Sequence, residues 1–85
     1  MTSTRFEIER IFDLPTRAGL IAAGRMLSGS VQAGMTLRDQ ATGATVRVIG
    51  LELIPPPADH PDRVAIILDR RDAPAVTEGR TLIGD

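Results

Sequence analysis

The chain has 85 residues, ten arginines, no lysine, eleven acidic residues and a formal net charge of −1. That length allows one domain and is too short for the multi-stranded α/β sheet of a nucleotide-hydrolysing domain. Cysteine is absent, which excludes disulfides and thiolate metal sites. Leu, Ile, Val and Phe make up 23 of the 85 residues, about 27%, above the level expected of a disordered chain and sufficient for a small core.

No apolar run reaches the roughly 18 residues that cross a membrane, and the first residues lack the charged-then-apolar pattern of a signal peptide. The expectation is a soluble, cytoplasmic protein. The all-arginine cation set follows from base composition as readily as from phosphate recognition. A near-neutral chain without a basic block lacks the electrostatic footprint of an autonomous nucleic-acid binder. The densest basic spot, Asp69-Arg70-Arg71-Asp72, is cancelled by its own acids and reads as a turn between strands.

Turn residues recur at short intervals: Leu14-Pro15-Thr16, Ser28-Gly29-Ser30, Ala33-Gly34, Thr42-Gly43, Pro55 to Pro61, Asp72-Ala73-Pro74 and Glu78-Gly79. The Ile-, Val- and Leu-rich runs between them predict an all-β sandwich or barrel. Arg5 to Phe12 alternates, with Phe6 and Ile8 on one face and Glu7 and Glu9 on the other. Ile11-Phe12 then breaks the phase, as a bulge would. Both phenylalanines are expected in the core.

Residues 17–27 fit either a helix or a strand. Leu20, Ala23, Gly24 and Leu27 have helical spacing, but Gly19 and Gly24 each cost about 1 kcal/mol inside a helix. Met35 to Arg38 is a short strand that turns through Asp39 to Gly43 into Ala44 to Ile54. In that last strand Val46 and Val48 oppose Thr45 and Arg47, and the apolar phase shifts at Gly50, predicting a bulge or sharp bend. Arg63 to Leu68 aligns Val64, Ile66 and Leu68, and Thr81 to Ile83 is the last strand.

Three motifs invite a chemical reading. Gly19 to Met26 approximates a phosphate-binding loop, but Arg25 stands for the lysine and Met26 removes the magnesium-binding hydroxyl. Asp59, His60 and Asp62 form the only histidine–carboxylate cluster; neighbours in sequence seldom converge on a metal, and a solvated loop accounts for them. His60 is also the sole side chain suited to proton transfer near neutral pH. Pro55-Pro56-Pro57 suits a rigid inter-strand loop better than a ligand for an aromatic groove. Without Trp or Tyr the chain has no stacking platform for single-stranded nucleic acid.

An ordered series of segments resembles the second domain of the translational GTPases, the elongation factor Tu family. These are Phe6 to Leu14-Pro15, Ala18-Gly19-Leu20 through Gly24-Arg25-Met26-Leu27-Ser28-Gly29, and Val31 to Gly34 with Met35-Thr36-Leu37. Gly50-Leu51-Glu52-Leu53, Asp62 to Leu68 and Glu78 to Leu82 follow in the same order. The resemblance covers nearly the whole chain. It implies a small closed antiparallel β-barrel of six or seven strands, and it makes Leu20 to Ser28 a strand. It also implies a non-enzymatic binding module without metal or cofactor, contacting tRNA, ribosomal RNA or a partner protein. Glu52 and Leu53 match the Val-Glu-Met motif of the family's tRNA pocket, whereas Arg63 replaces the pocket asparagine. With loop 55–62, Glu52, Leu53, His60 and Arg63 are the candidate partner-binding residues. An alternative expectation is a structural barrel that forms a homodimer by pairing strand edges.

Overall fold

A computed structural model describes residues 3–13, 19–52, 59 and 62–84. The strands are β1 (Thr4–Phe12), β2 (Leu20–Ser28), β3 (Thr36–Asp39), β4 (Thr45–Leu51), β5 (Arg63–Leu68) and β6 (Thr81–Gly84), with a 3-10 helix over Arg70–Ala75. They form a closed barrel in the order β1-β2-β5-β4-β3-β6, every pairing antiparallel. The expected all-β closed antiparallel barrel of six or seven strands is therefore the observed fold, with six strands among the described residues. Among the described residues each strand has a paired neighbour on both sides.

Alternation builds the interior. Phe6 and Ile8 of β1, Leu20 and Ala22 of β2 and Leu37 of β3 point inward. Val46 and Val48 of β4, Ile66 and Leu68 of β5 and Leu82 of β6 join them in one buried cluster. Each large aliphatic side chain so buried contributes about 1.5–3 kcal/mol. The stretch that fits either helix or strand is strand throughout: Leu20 to Arg25 pairs with β5 on one side while its neighbours pair with β1 on the other. A two-sided ladder of this kind outweighs the helix propensity of Ala, Leu and Arg.

Besides a shift in β2 at Leu27, between the Arg5–Ser28 and Phe6–Met26 pairs, two register shifts shape the barrel. In β1 the pairing jumps between Ile8 and Arg10, so Glu9 is the extra residue. In β4 it jumps between Val48 and Gly50, making Ile49 the extra residue. Both bulges lie at the phase changes seen in the sequence. The first overturns one expectation: beyond Glu9, Phe12 pairs with Ile21 and sits 42% exposed on the outer wall, not in the core. The second leaves Ile49 40% exposed on the same wall.

The Asp69–Asp72 segment is not a simple turn. Asp69 caps the 3-10 helix by accepting from the Arg71 amide at 2.9 Å. The helix sits where β1 ends and β2 begins: Arg70 pairs with Asp13 at 3.0 Å and donates to the Gly19 carbonyl. Ala73, Ala75 and Val76 pack onto the core from this end. Asp39, buried at the end of β3, holds the hairpin that follows by accepting from the amides of Ala41 (2.8 Å) and Thr42 (3.4 Å). Gly43 completes that hairpin with φ +77°.

Gly24 lets β2 lie against β1. A β-carbon there would collide with the Glu7 carbonyl and approach the Phe6 ring at 3.1 Å. At Gly50 a β-carbon would meet only the Ile67 side chain, at an ordinary 3.5 Å. Gly24→Ala is thus expected to lower stability by about 1–3 kcal/mol. Gly50→Ala is expected to change it by less than about 0.5 kcal/mol. Urea denaturation of the two variants side by side checks the contrast, and equal losses would contradict the packing described.

Candidate functional site

β1 begins, β2 and β4 end and β5 begins at one mouth of the barrel. The chain leaving β2 bends across it through Gly29, Ser30 and Val31. Thr4 fixes that bend by donating its hydroxyl to the Ser30 carbonyl at 2.8 Å, and Ser28 donates to the Ser3 carbonyl at 2.7 Å. Val31 is thereby buried in the core cluster as a plug. Gly34 and Met35 then run beside Val48, exchanging amide bonds of 2.8 Å in each direction.

Between this bend and the strand ends lies a recess of about 230 Å³. Its walls include Met26, Val31, Val64 and Ile66, with Leu51 and Glu52 along one side. Glu52 is placed by the strand just before it: its amide donates to the Ala65 carbonyl at 3.0 Å, carrying the β4–β5 ladder one residue beyond β4. The side chain is half-buried, and Oε1 is closed off from solvent. A mainly apolar recess with Glu52 among its lining residues can take a ring or aliphatic group.

Arg63 is the first residue of β5 and exposed. Its side chain lies on the outer wall beside the mouth, in a cross-strand row with Arg25, which is itself opposite Glu7. Arg63 pairs with Glu9 at 3.8 Å and Arg25 with Asp62 at 3.2 Å. The amide of Met26 donates to the Asp62 carbonyl at 2.9 Å, so the start of β5 is tied to β2 by backbone and side chain together.

Of the four expected partner-binding residues, Glu52 and Arg63 thus come to the same end of the barrel, one in the recess and one outside it. Leu53 and His60 lie outside the described residues, as do Pro55-Pro56-Pro57. Asp59 is exposed in a turn. Among the described residues no three His, Asp or Glu side chains group as metal ligands would. The segment resembling a phosphate-binding loop, Gly19 to Met26, enters and runs along β2, so its amides serve the sheet. No described helix is long and apolar enough to cross a membrane. The residues missed in the sequence are Val31 and Met26. A lone large aliphatic inside the polar stretch Gly29 to Gly34 is the signal that could have found Val31.

The ion pairs beside the mouth are exposed, and exposed pairs contribute about 0–1 kcal/mol. Arg63→Gln and Arg25→Gln are therefore each expected to shift stability by less than about 1 kcal/mol. Thermal denaturation with and without added salt checks this, and a larger loss would show that the pairs clamp β5 onto β2.

No family model, curated protein or solved structure matches the chain.

Proposed function

We propose that this barrel is a non-enzymatic binding module and that its mouth receives the end of an RNA, in the manner of the tRNA-contacting barrel of translation factors. The observation that supports this reading is the 230 Å³ apolar recess with Glu52 in its wall. A terminal nucleoside or aminoacyl group offers both a ring or aliphatic body for the recess and donors for the carboxylate. Arg63 lies outside the mouth on β5, where a guanidinium can meet the phosphate that precedes the terminal nucleoside. Glu52 and Arg63 occupy the positions at which the resemblance to the second domain of translational GTPases puts its pocket residues. The barrel itself supplies affinity and orientation.

Titration with fluorescently labelled tRNA, aminoacylated and deacylated, tests the reading. Glu52→Ala is expected to weaken binding about tenfold, the loss of one charge-assisted hydrogen bond. Arg63→Gln is expected to weaken it less and to flatten its salt dependence. Unchanged affinity in the double variant, or no binding of either tRNA by the unaltered protein, sinks the proposal.

A second reading is a structural barrel that self-associates, and a different observation favours it. Phe12 is opposite Ile21, Ile21 opposite Ile67, and Ile67 opposite Gly50, beside the bulged Ile49. This apolar row crosses four strands on the outer wall and is exposed at Phe12 and Ile49, with Ile21 between them only 8% exposed. If it is a dimer interface, sedimentation velocity will show a concentration-dependent dimer that Phe12→Ser with Ile49→Ser abolishes. A monomer throughout the micromolar range removes this reading.

A further inference from the structure

The outer wall of the β3–β4 hairpin carries a cluster of a different kind. Leu37 and Asp39 of β3 are buried, as are Val46 and Val48 of β4. Alternation therefore turns Thr36, Arg38, Thr45 and Arg47 outward, where all four are exposed. The register sets Arg38 opposite Thr45 and Thr36 opposite Arg47. The result is a two-by-two block with the arginines on one diagonal and the threonines on the other. Directly opposed β-carbons lie about 4.5–5.5 Å apart and diagonal neighbours about 7–8 Å apart. Two recesses meet on this block. One, of about 150 Å³, is walled by Thr36, Arg38, Thr45 and Ile83. The other, of about 280 Å³, is walled by Thr36, Thr45 and Arg47 together with Asp69, Arg71 and Asp72.

Two like charges at this spacing repel unless a counter-charge lies between them. Among the described residues, the ion pairs engage Arg25, Arg63, Arg70, Arg71 and Arg80, and none engages Arg38 or Arg47. The nearest carboxylates are already committed. Asp69 accepts from the guanidinium of Arg71 at 3.0 Å and from its amide at 2.9 Å; these bonds, with the positive charges of Arg71 and of Arg47 across the recess, hold the carboxyl below its usual range. Asp72 accepts from the Arg47 amide at 2.9 Å. Arg5 adds a further cation two strands from Arg38, since both lie opposite Ile83.

We propose that this block is a binding site for a phosphate monoester, with the phosphoryl group seated between Arg38 and Arg47 and the hydroxyls of Thr36 and Thr45 donating to it. Guanidinium forks match phosphate oxygens bidentately, and each hydroxyl supplies one further donor. The phosphoryl group answers this donor set with three strong acceptor oxygens and close to two negative charges. A carboxylate brings only two oxygens and one charge, so the block favours phosphate over an acidic side chain. The described part of this wall holds no aromatic ring, and recognition ends at the phosphate and its immediate surroundings. The site lies on a different wall from the mouth and stands independently of the function proposed above.

Nuclear magnetic resonance titration of the whole chain with inorganic phosphate and with glycerol phosphate, at constant ionic strength set by chloride, tests the site. Saturable shifts are expected at the amides of Thr36, Arg38, Thr45 and Arg47, with a dissociation constant on the order of 1 mM. Arg38→Gln and Arg47→Gln should each weaken binding about tenfold, and Arg10→Gln, an exposed arginine of β1 outside both sites, should leave it unchanged. If either glutamine variant unfolds, Arg→Lys at the same position replaces it and should also weaken binding, because the bidentate fork is lost. Absence of saturable shifts, equal shifts with chloride alone, or unaltered binding in both arginine variants overturns the proposal. Binding of an oligonucleotide with hydroxyl ends, without binding of the monoesters, overturns it in favour of backbone docking.

Discussion

Thr4 to Glu7 of β1 pairs with Thr81 to Gly84 of β6, and this short ladder closes the sheet. Closure gives every strand two neighbours and encloses the interior side chains from all sides. A chain with so few large apolar residues cannot stabilise an open sheet well, because one face and two edges would stay wet. Once the sheet is closed, Phe6, Ile8, Leu37, Ile66, Leu68 and Leu82 are all fully buried in a single cluster. The bend through Val31 and the 3-10 helix then fill the two ends that six short strands leave uncovered.

The bulges at Glu9 and Ile49 do more than curve the strands. Each inserts one residue and so exchanges the inner and outer faces of everything beyond it. In β1 the exchange turns Phe12 outward and Ile11 toward the core. In β4 it frees Leu51 and Glu52 from strict alternation at the mouth, where they become one side of the recess. The outer apolar row and the recess are therefore products of the same device. The polar β3–β4 wall, which contains no bulge, keeps simple alternation and for that reason presents its arginines and threonines as a regular block.

Much of the barrel is legible in the sequence. The alternation of Phe6 and Ile8, of Val46 and Val48, and of Val64, Ile66 and Leu68 assigns strands and inward faces from residue type alone. Both phase breaks mark real bulges. What alternation cannot reveal is the side to which a phase break sends the residues after it, and so Phe12 was expected inside. Leu20 to Ser28 is ambiguous because its first residues, Leu20, Ile21 and Ala22, are buried on both faces of the strand, and a continuous apolar run suits a helix equally well. The 3-10 helix at Arg70–Ala75 is hidden because its stability comes from the Asp69 cap and from packing by Ala73, Ala75 and Val76, not from periodicity. At the mouth, Glu52 and Arg63 could be singled out only through the family resemblance. The plug formed by Val31 depends on a crossing of the barrel end that no local pattern encodes.

The ladder that closes the barrel also orders events in time. Thr4 meets Gly84 across almost the whole length of the chain. The intervening strands can form hairpins early, since β1 follows directly into β2 and β3 into β4, but the core is not sealed until the last strand arrives. During synthesis β1 therefore emerges long before its second partner, and its outer ladder stays unsatisfied for the time taken to make the rest of the domain. Topologies dominated by such distant pairings fold in roughly milliseconds to seconds, slower than helical bundles of similar size. In that interval the unclosed side of β1 is a template for any other unpaired strand, which makes the first strand, buried and safe in the finished barrel, the most exposed to mispairing while the chain is being made.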